Sequence, residues 1–408
     1  MAVTTASVAR PIARALPLII AAGCLIALFS NGPRTVMGLF LAPMTDAHGW
    51  SRETFALAIA IQNIMWGLGQ PVAGAISDRF GSGRVLAGGG VLYAAGLALM
   101  AWAPTALWLH LSAGVLMGLG MAAASFYIVL AAFAQRVPPE KRTIVMGIGM
   151  AAGSMGQFLF APLGQGLIQT FGWADALLVL GVMMLAIPIF AIALAGRPGT
   201  HGEAIREQTI GQALSEALAH RGYLLLTAGF FVCGFHVALI LTHLPPYIVD
   251  KGIDPQIGAW ALALIGLFNV IGSLGSGWIG QHYSKPLFLS LIYFGRAVVI
   301  AAFVLLPITP VTVLAFAALM GLLWLSTVAP TSGLIAVMFG PKYLAMLTGI
   351  VFVSHQVGAF LGVWLGGRLY DQTGSYDVVW WLGVALGIFA GIVHLPIRER
   401  PAYAVAPA

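Results

Sequence analysis

The sequence predicts an all-α membrane protein of twelve transmembrane helices in two six-helix repeats. Three observations carry that expectation. The 408 residues are 60% hydrophobic and only 8% charged, whereas roughly a quarter of a soluble domain is charged. The apolar stretches run about 20–30 residues, enough for a helix to cross a bilayer and far longer than the roughly ten residues of a barrel strand. The two halves of the chain also repeat one another in their glycines and prolines.

The spans are expected at 16 to 44, 54 to 77, 85 to 103, 106 to 134, 143 to 170, 173 to 195, 222 to 247, 256 to 281, 286 to 306, 309 to 335, 343 to 370 and 377 to 396. The first follows Arg10 and Arg14 but is too long for a secretory signal and lacks a small-residue cleavage site, so it reads as a membrane helix. Cys24 and Cys233 lie inside apolar stretches, where small thiols pack, and no disulfide is expected.

With both termini cytoplasmic, fourteen Lys and Arg fall in inner loops and tails, and only Arg52, Lys251 and Arg368 in outer loops. That asymmetry sets the orientation and predicts a multi-pass protein of the inner membrane. It also accounts for the net charge of +6, so no nucleic-acid partner is expected; the bilayer is.

The longest polar stretch, 197–221, divides a six-helix bundle over 1–196 from a second over 222–408. Within it Ile205 to Ala219, with Glu207, Gln208, Gln212 and Glu216, has the composition of a linker helix. Pro43, Gly49 and Gly74 recur as Pro246, Gly252 and Gly277. In a sharper register Gly156, Phe158, Leu159, Leu163, Gly164, Leu167 and Gly172 recur as Gly358, Phe360, Leu361, Leu365, Gly366, Leu369 and Gly374. Two such repeats predict a substrate site near the midplane between the halves.

Between the second and third spans, Gly74, Asp78, Arg79, Gly81 and Arg84 form a short charged loop. Its glycines permit close helix approach and a sharp turn, and Asp78 at a helix end is placed to pair with the arginines and latch one conformation. The loop resembles the signature loop of the major facilitator superfamily, whose fold the whole plan matches. The equivalent loop, Gly277 to Lys285, has Gln281 in place of the aspartate.

Gly38 to Pro43 followed by Gly49, Trp50, Ser51, Arg52, Glu53 and Thr54, and Arg136, Lys141 and Arg142 running into Met146 to Ser154, resemble the first-span end and fifth-span entry of the monocarboxylate transporter family. That group includes bacterial oxalate/formate exchanger-like proteins. The resemblance implies that a basic residue on the first span takes part in binding or coupling, and the local register puts Arg34 there. It implies an aromatic pocket position at Tyr127. It also implies an aspartate and an arginine on the eighth span, where this chain has Asn269 and Ser273.

The residues themselves point the same way. Arg34 and Arg296 lie in the middle of apolar stretches, and no Asp or Glu sits at membrane depth to neutralise them. A guanidinium there normally faces a water-filled cavity or a partner, so an unneutralised one predicts an anionic cargo. Arg296 is about eleven residues from Lys285, roughly 16 Å along a helix, but on a span peripheral in this fold; substrate binding and a structural role both stand for it. Asn31, Gln62, Asn63, Gln157, Asn269 and Gln356 are expected to orient the ligand, and Trp324 to close an apolar side. Histidine is the remaining protonatable group at depth, so His236, His355 and His243 are the expected proton carriers.

No catalytic constellation, phosphate-binding loop or metal-ligand spacing is present, so neither an enzyme nor a cofactor is expected. The expected function is proton-coupled symport of a small organic anion, a monocarboxylate, by alternating access, acting as a monomer. The stretch Phe160 to Gly166 weakly resembles the antiporter motif of drug exporters and keeps export of amphipathic compounds as a rival. A non-transporting receptor on the same scaffold is the second.

Overall fold

A computed structural model, described over residues 6–137, 139–195, 209–340 and 343–401, has twelve helices long and apolar enough to cross a membrane. They are Leu16–His48, Arg52–Ser77, Ser82–Ala101, Ala106–Leu130, Val145–Phe171, Trp173–Leu194, Arg221–Asp250, Pro255–His282, Lys285–Leu305, Pro310–Phe339, Met346–Thr373 and Asp377–His394, spans 1 to 12. Every predicted stretch has its helix. The side chains of Asp78, Arg136, Lys141 and Arg142, and the linker residues 197–208, lie outside the described residues. Of the linker helix expected over Ile205 to Ala219, the described part is a helix over Ile210–Ala219 with a reciprocal cap between Thr209 and Gln212.

Twelve crossings put the start of span 1 and the end of span 12 on one face, called here the terminal face; the opposite one is the far face. The repeat is visible in the backbone. Gly49 and Gly252 stop spans 1 and 7 with φ of +64° and +76°, and Gly172 and Gly374 follow spans 5 and 11 with φ of +81° and +69°. A side chain is strained in that left-handed region, which is why glycine recurs. Helix packing repeats too. A Cβ on Gly156 would lie 2.3 Å from the Leu28 carbonyl oxygen, and one on Gly358 1.9 Å from that of Phe231, so span 5 lies against span 1 as span 11 lies against span 7.

Small residues at such crossings replace the hydrophobic drive that lipid removes. At Gly234, on the span 7 side, an added Cβ would stand 1.7 Å from the His355 carbonyl oxygen. Gly234→Ala is therefore expected to force two backbones apart and destabilise the fold by upward of about 1–3 kcal/mol, read as a lower melting temperature of the purified protein.

The first six spans meet the last six along three seams. Span 2 packs on span 11 and span 5 on span 8, and the end of span 1 packs on span 7. Gly67 faces Gln356, Gly266 faces Gln157 and Phe158, and Gly38 faces the carbonyls of Leu241 and Thr242. Away from the seams the bundle is ringed by exposed apolar residues such as Leu107, Val182, Ile192, Val298 and Val311, as a lipid-facing surface requires.

Four spans are interrupted: spans 1, 4 and 10, and span 6 by a single turn residue at Leu185. Span 1 breaks at Val36 (φ −106°, ψ 1°), three residues after Pro33. Span 4 breaks at Ala124 and Ser125, and span 10 between Leu323 and Val328. Irregular backbone at membrane depth is tolerated only where protein covers it or it lines a cavity, so these breaks mark where to look for polar groups.

Candidate functional site

Arg34 stands two residues before the break in span 1. Its guanidinium carbon lies 4.4 Å from the centre of the Trp66 ring on span 2, a cation–π contact that positions the charge without neutralising it. Tyr93 and Tyr127 are its other polar neighbours. The ion pairs among the described residues all lie elsewhere, and none of them brings a carboxylate to Arg34.

Around this charge the two halves contribute an aromatic wall. Phe352 of span 11 meets Trp66 edge-on at 5.3 Å and Tyr127 at 5.4 Å. His355, one turn along, stacks on Phe352 at 5.7 Å and contacts Phe230 of span 7 at 5.1 Å. Trp66 donates through Nε1 to Gln70, which donates to Ser125 Oγ at the break of span 4. Tyr127 remains 39% exposed although its ring meets the opposite half, so the seam is open beside it. A fixed guanidinium fork next to apolar ring surface is what a carboxylate with a carbon body needs.

Sequence reading missed Trp66, Phe352 and Phe230. The available signal was three aromatic residues inside spans of opposite halves, one of them (Trp66) directly before a seam glycine, Gly67.

Gln356 is buried with neither amide atom partnered, and His355 Nδ1 is likewise free. Each such atom costs about 1–3 kcal/mol, which is tolerated where a ligand or another conformation supplies the partner. The other amides are committed to protein. Asn31 donates to the Gly153 carbonyl (2.8 Å), Gln62 to that of Ala113 (2.9 Å), Asn63 to that of Ile59 (2.8 Å) and Gln157 to that of Leu262 (3.0 Å). Asn269 donates to Ser154 Oγ and accepts from the Leu325 amide in the span 10 break.

Arg296 sits differently from Arg34. It is fully buried, and its guanidinium donates to the carbonyls of Leu323 and Trp324, the oxygens left over where span 10 breaks. A cation at a helix C-terminus also meets the negative end of its dipole. Trp324 itself is 2% exposed, packed in the break. Arg296→Met is expected to cost about 1–3 kcal/mol of stability for each carbonyl stranded, read as a lower melting temperature, while ligand-induced thermal stabilisation survives; Arg34→Gln gives the reverse pattern.

The three histidines separate as well. His236 Nε2 bonds the Gly383 carbonyl at 2.7 Å, against span 12. His355 joins the aromatic wall. His243 is buried near the far end of span 7, its ring nitrogens on the Val363 carbonyl and the Tyr376 hydroxyl.

In the loop after span 2, Gly81 makes the turn with φ +91°. A Cβ on Gly74 would meet nothing within 4 Å, so close approach does not occur there in this conformation. Arg79 and Arg84 are exposed and form no ion pair among the described residues.

The far face holds a network that sequence reading passed over. Arg52, at the start of span 2, donates twice to the Asp250 carboxylate (2.6 and 2.7 Å) and once to the Tyr376 hydroxyl (2.9 Å), with Tyr370 stacked 3.8 Å from its guanidinium. Asp371 of span 11 accepts from the backbone amides of Arg52 and Glu53, capping span 2 from the other half. Glu53 accepts from Trp364 and Arg368. Among the described residues, every hydrogen bond and ion pair joining the first six spans to the last six lies between mid-depth and this face. Among the described residues the two halves are fastened there.

The model of the Major Facilitator Superfamily matches residues 22–335. An uncharacterised transporter of that type from Bacillus subtilis is 26% identical, covering 92% of this chain and 93% of the relative. Monocarboxylate transporter 13 of Bos taurus is 27% identical (79% of this chain, 74% of the relative), and human monocarboxylate transporter 11 is 28% identical (83% and 73%). Among solved structures, a D-xylose–proton symporter superposes with a TM-score of 0.73 at 14% identity, over 94% of this chain and 98% of that one. A bacterial homologue of the human lysosomal transporter Spinster gives 0.68 at 14%, over 93% and 94%. With its twelve spans, its repeated halves and this match, the chain belongs to the Major Facilitator Superfamily and is similar to monocarboxylate transporters; it is a transporter and not an enzyme.

Proposed function

We propose that this transporter carries a small organic anion, a monocarboxylate, across the inner membrane by alternating access with proton coupling. The observation that carries the reading is Arg34: a charge held on an aromatic face at the seam of the two halves, with no carboxylate among the described residues to neutralise it. A carboxylate would pair with the guanidinium while its carbon body lies against Trp66, Tyr127 and Phe352, and Gln356 would bond what the rings cannot. The two six-span bundles, 1–196 and 222–408, would rock about this site as bodies joined by the linker, with both termini cytoplasmic and the far face outward. The conformation with the far face closed is then inward-facing.

Proton coupling falls to histidine, because every acid lies at a span end or in a loop. His355 adjoins the site and His243 the far face, whereas His236 faces span 12. The names of the monocarboxylate transporters that the chain resembles agree with the substrate class.

Purified protein in liposomes, given an inward proton gradient, is expected to take up labelled monocarboxylate saturably, and to stop when a protonophore collapses the gradient. Efflux of a cationic amphipathic dye without any carboxylate flux would reject the reading in favour of export.

A further inference from the structure

His243 and the far-face network are one hydrogen-bonded chain, and its proton positions can be assigned from the partners. The Val363 carbonyl can only accept, so His243 Nε2, 2.7 Å away, carries the hydrogen. In a neutral imidazole Nδ1 is then an acceptor, and the Tyr376 hydroxyl 3.2 Å away must donate to it. That hydroxyl in turn accepts from Arg52 Nη1 at 2.9 Å. Arg52 completes the chain on Asp250, across the seam between the halves.

We propose that His243 is a proton-binding site whose occupancy releases the far-face closure, with Tyr376 transmitting the change to the Arg52–Asp250 bridge. A second hydrogen on the imidazole turns Nδ1 into a donor. Tyr376 would then face two donors, Arg52 and the imidazolium, with its own hydrogen left without an acceptor. The added positive charge also lies one hydroxyl away from Arg52. The closed arrangement accommodates only the neutral ring, whereas an opened far face lets water solvate the imidazolium.

The groups surrounding His243 are consistent with this sign. Arg52 reaches it from span 2, Asp371 from span 11, and Tyr376 from the loop before span 12; Tyr247 and Tyr370 pack on Tyr376. Asp250, Glu53 and Arg368 lie beyond them. Asp371 favours the charged imidazole, but its oxygens already accept from the amides of Arg52 and Glu53. The ring cannot swing away: Gly366 of span 11 lies so close that a Cβ there would be 2.4 Å from it. The inference rests on the far face opening, the alternating-access part of the proposed function, and on no particular substrate.

The test uses the full chain in nanodiscs without ligand, with Cys24 and Cys233 replaced by Ser and spin labels at Ala47→Cys and Gln372→Cys, exposed positions on the two halves of the far face. A short distance is expected at pH 8. As pH falls through the range of an exposed histidine, near 6.5, the ratio of open to closed should rise by up to about tenfold per pH unit, the slope of one bound proton. His243→Gln should flatten that response, and Tyr376→Phe should weaken it while raising the open fraction at pH 8. A wild-type distance unchanged down to pH 5, or Tyr376→Phe titrating as wild type does, would overturn the proposal. So would a His243→Gln variant that keeps the full pH response. Because no substrate is present, none of these outcomes bears on whether Arg34 binds a carboxylate.

Discussion

Arg34→Gln is expected to abolish carboxylate uptake in proteoliposomes while leaving the protein folded and monodisperse. A carboxylate leaving water for the seam meets Arg34, since Arg296 is fully buried, with Nε and Nη2 on the carbonyls of Leu323 and Trp324 and only Nη1 unpartnered, and the far-face arginines pair with acids. Truncating one partner of a desolvated, hydrogen-bonded charge pair costs about 2–5 kcal/mol, or roughly thirtyfold to several thousandfold in affinity. Arg34→Lys should recover part of this. An ammonium keeps the charge but gives up the planar fork and the flat stack on Trp66. Trp66→Leu should fall between the two, because the ring orients the charge without supplying it. Fold stability should move little in the two arginine variants, since the guanidinium holds span 1 to span 2 only through its contact with the Trp66 ring, worth about 0.5–2 kcal/mol.

The second large effect is expected at Gly38→Val. Gly38 lies just beyond the break in span 1, with the Leu241 carbonyl oxygen of span 7 only 2.2 Å and the Thr242 oxygen 2.8 Å from the position of an added Cβ. The obstacle is backbone on both sides, so no rotamer change relieves it. Because spans 1 and 7 belong to opposite halves, the substitution need not disrupt either bundle; it prevents them from closing. The closing network is small enough to lose. Exposed pairs contribute about 0.2–1 kcal/mol each, and even the bidentate Arg52–Asp250 pair is partly solvated. A few kcal/mol is a fitting size for a closure that must also open, and less than a backbone clash. The variant should hold the far face open, label readily at a cysteine placed there, bind ligand from that side and transport nothing.

What the sequence made legible follows from the range of the forces involved. Span number and turn positions are local matters of apolar length and glycine, and Gly49, Gly252, Gly172 and Gly374 already announced the repeat that the backbone shows. The breaks were harder. Pro33 hints at the one at Val36, but the break in span 10 is set by what packs on it, namely Arg296 and Asn269. Hence Arg296 could be read from the sequence only as charge at depth, with its partners 27 and 28 residues away. Arg34 was easier because the relevant fact, a missing counter-ion, is a property of composition.

The far-face network was invisible for the opposite reason. Arg52, Asp250 and Asp371 each look like ordinary loop charges, and only the fold brings residues 198 and 319 positions apart into contact. Likewise the histidines were equivalent until packing distinguished His355 beside Phe352 from His236 on span 12. Trp66 and Phe352 are single aromatic residues in long apolar runs, and nothing local separates a wall of a site from a side chain facing lipid.

The most direct measurement is calorimetric titration of the purified wild-type protein and Arg34→Gln with a carboxylate and its neutral carboxamide isostere, at one pH. If Arg34 is the anion site, the carboxylate binds wild type saturably and Arg34→Gln at least about thirtyfold more weakly, and the variant shows no preference for carboxylate over carboxamide. Equal carboxylate affinity in the two proteins would contradict that assignment.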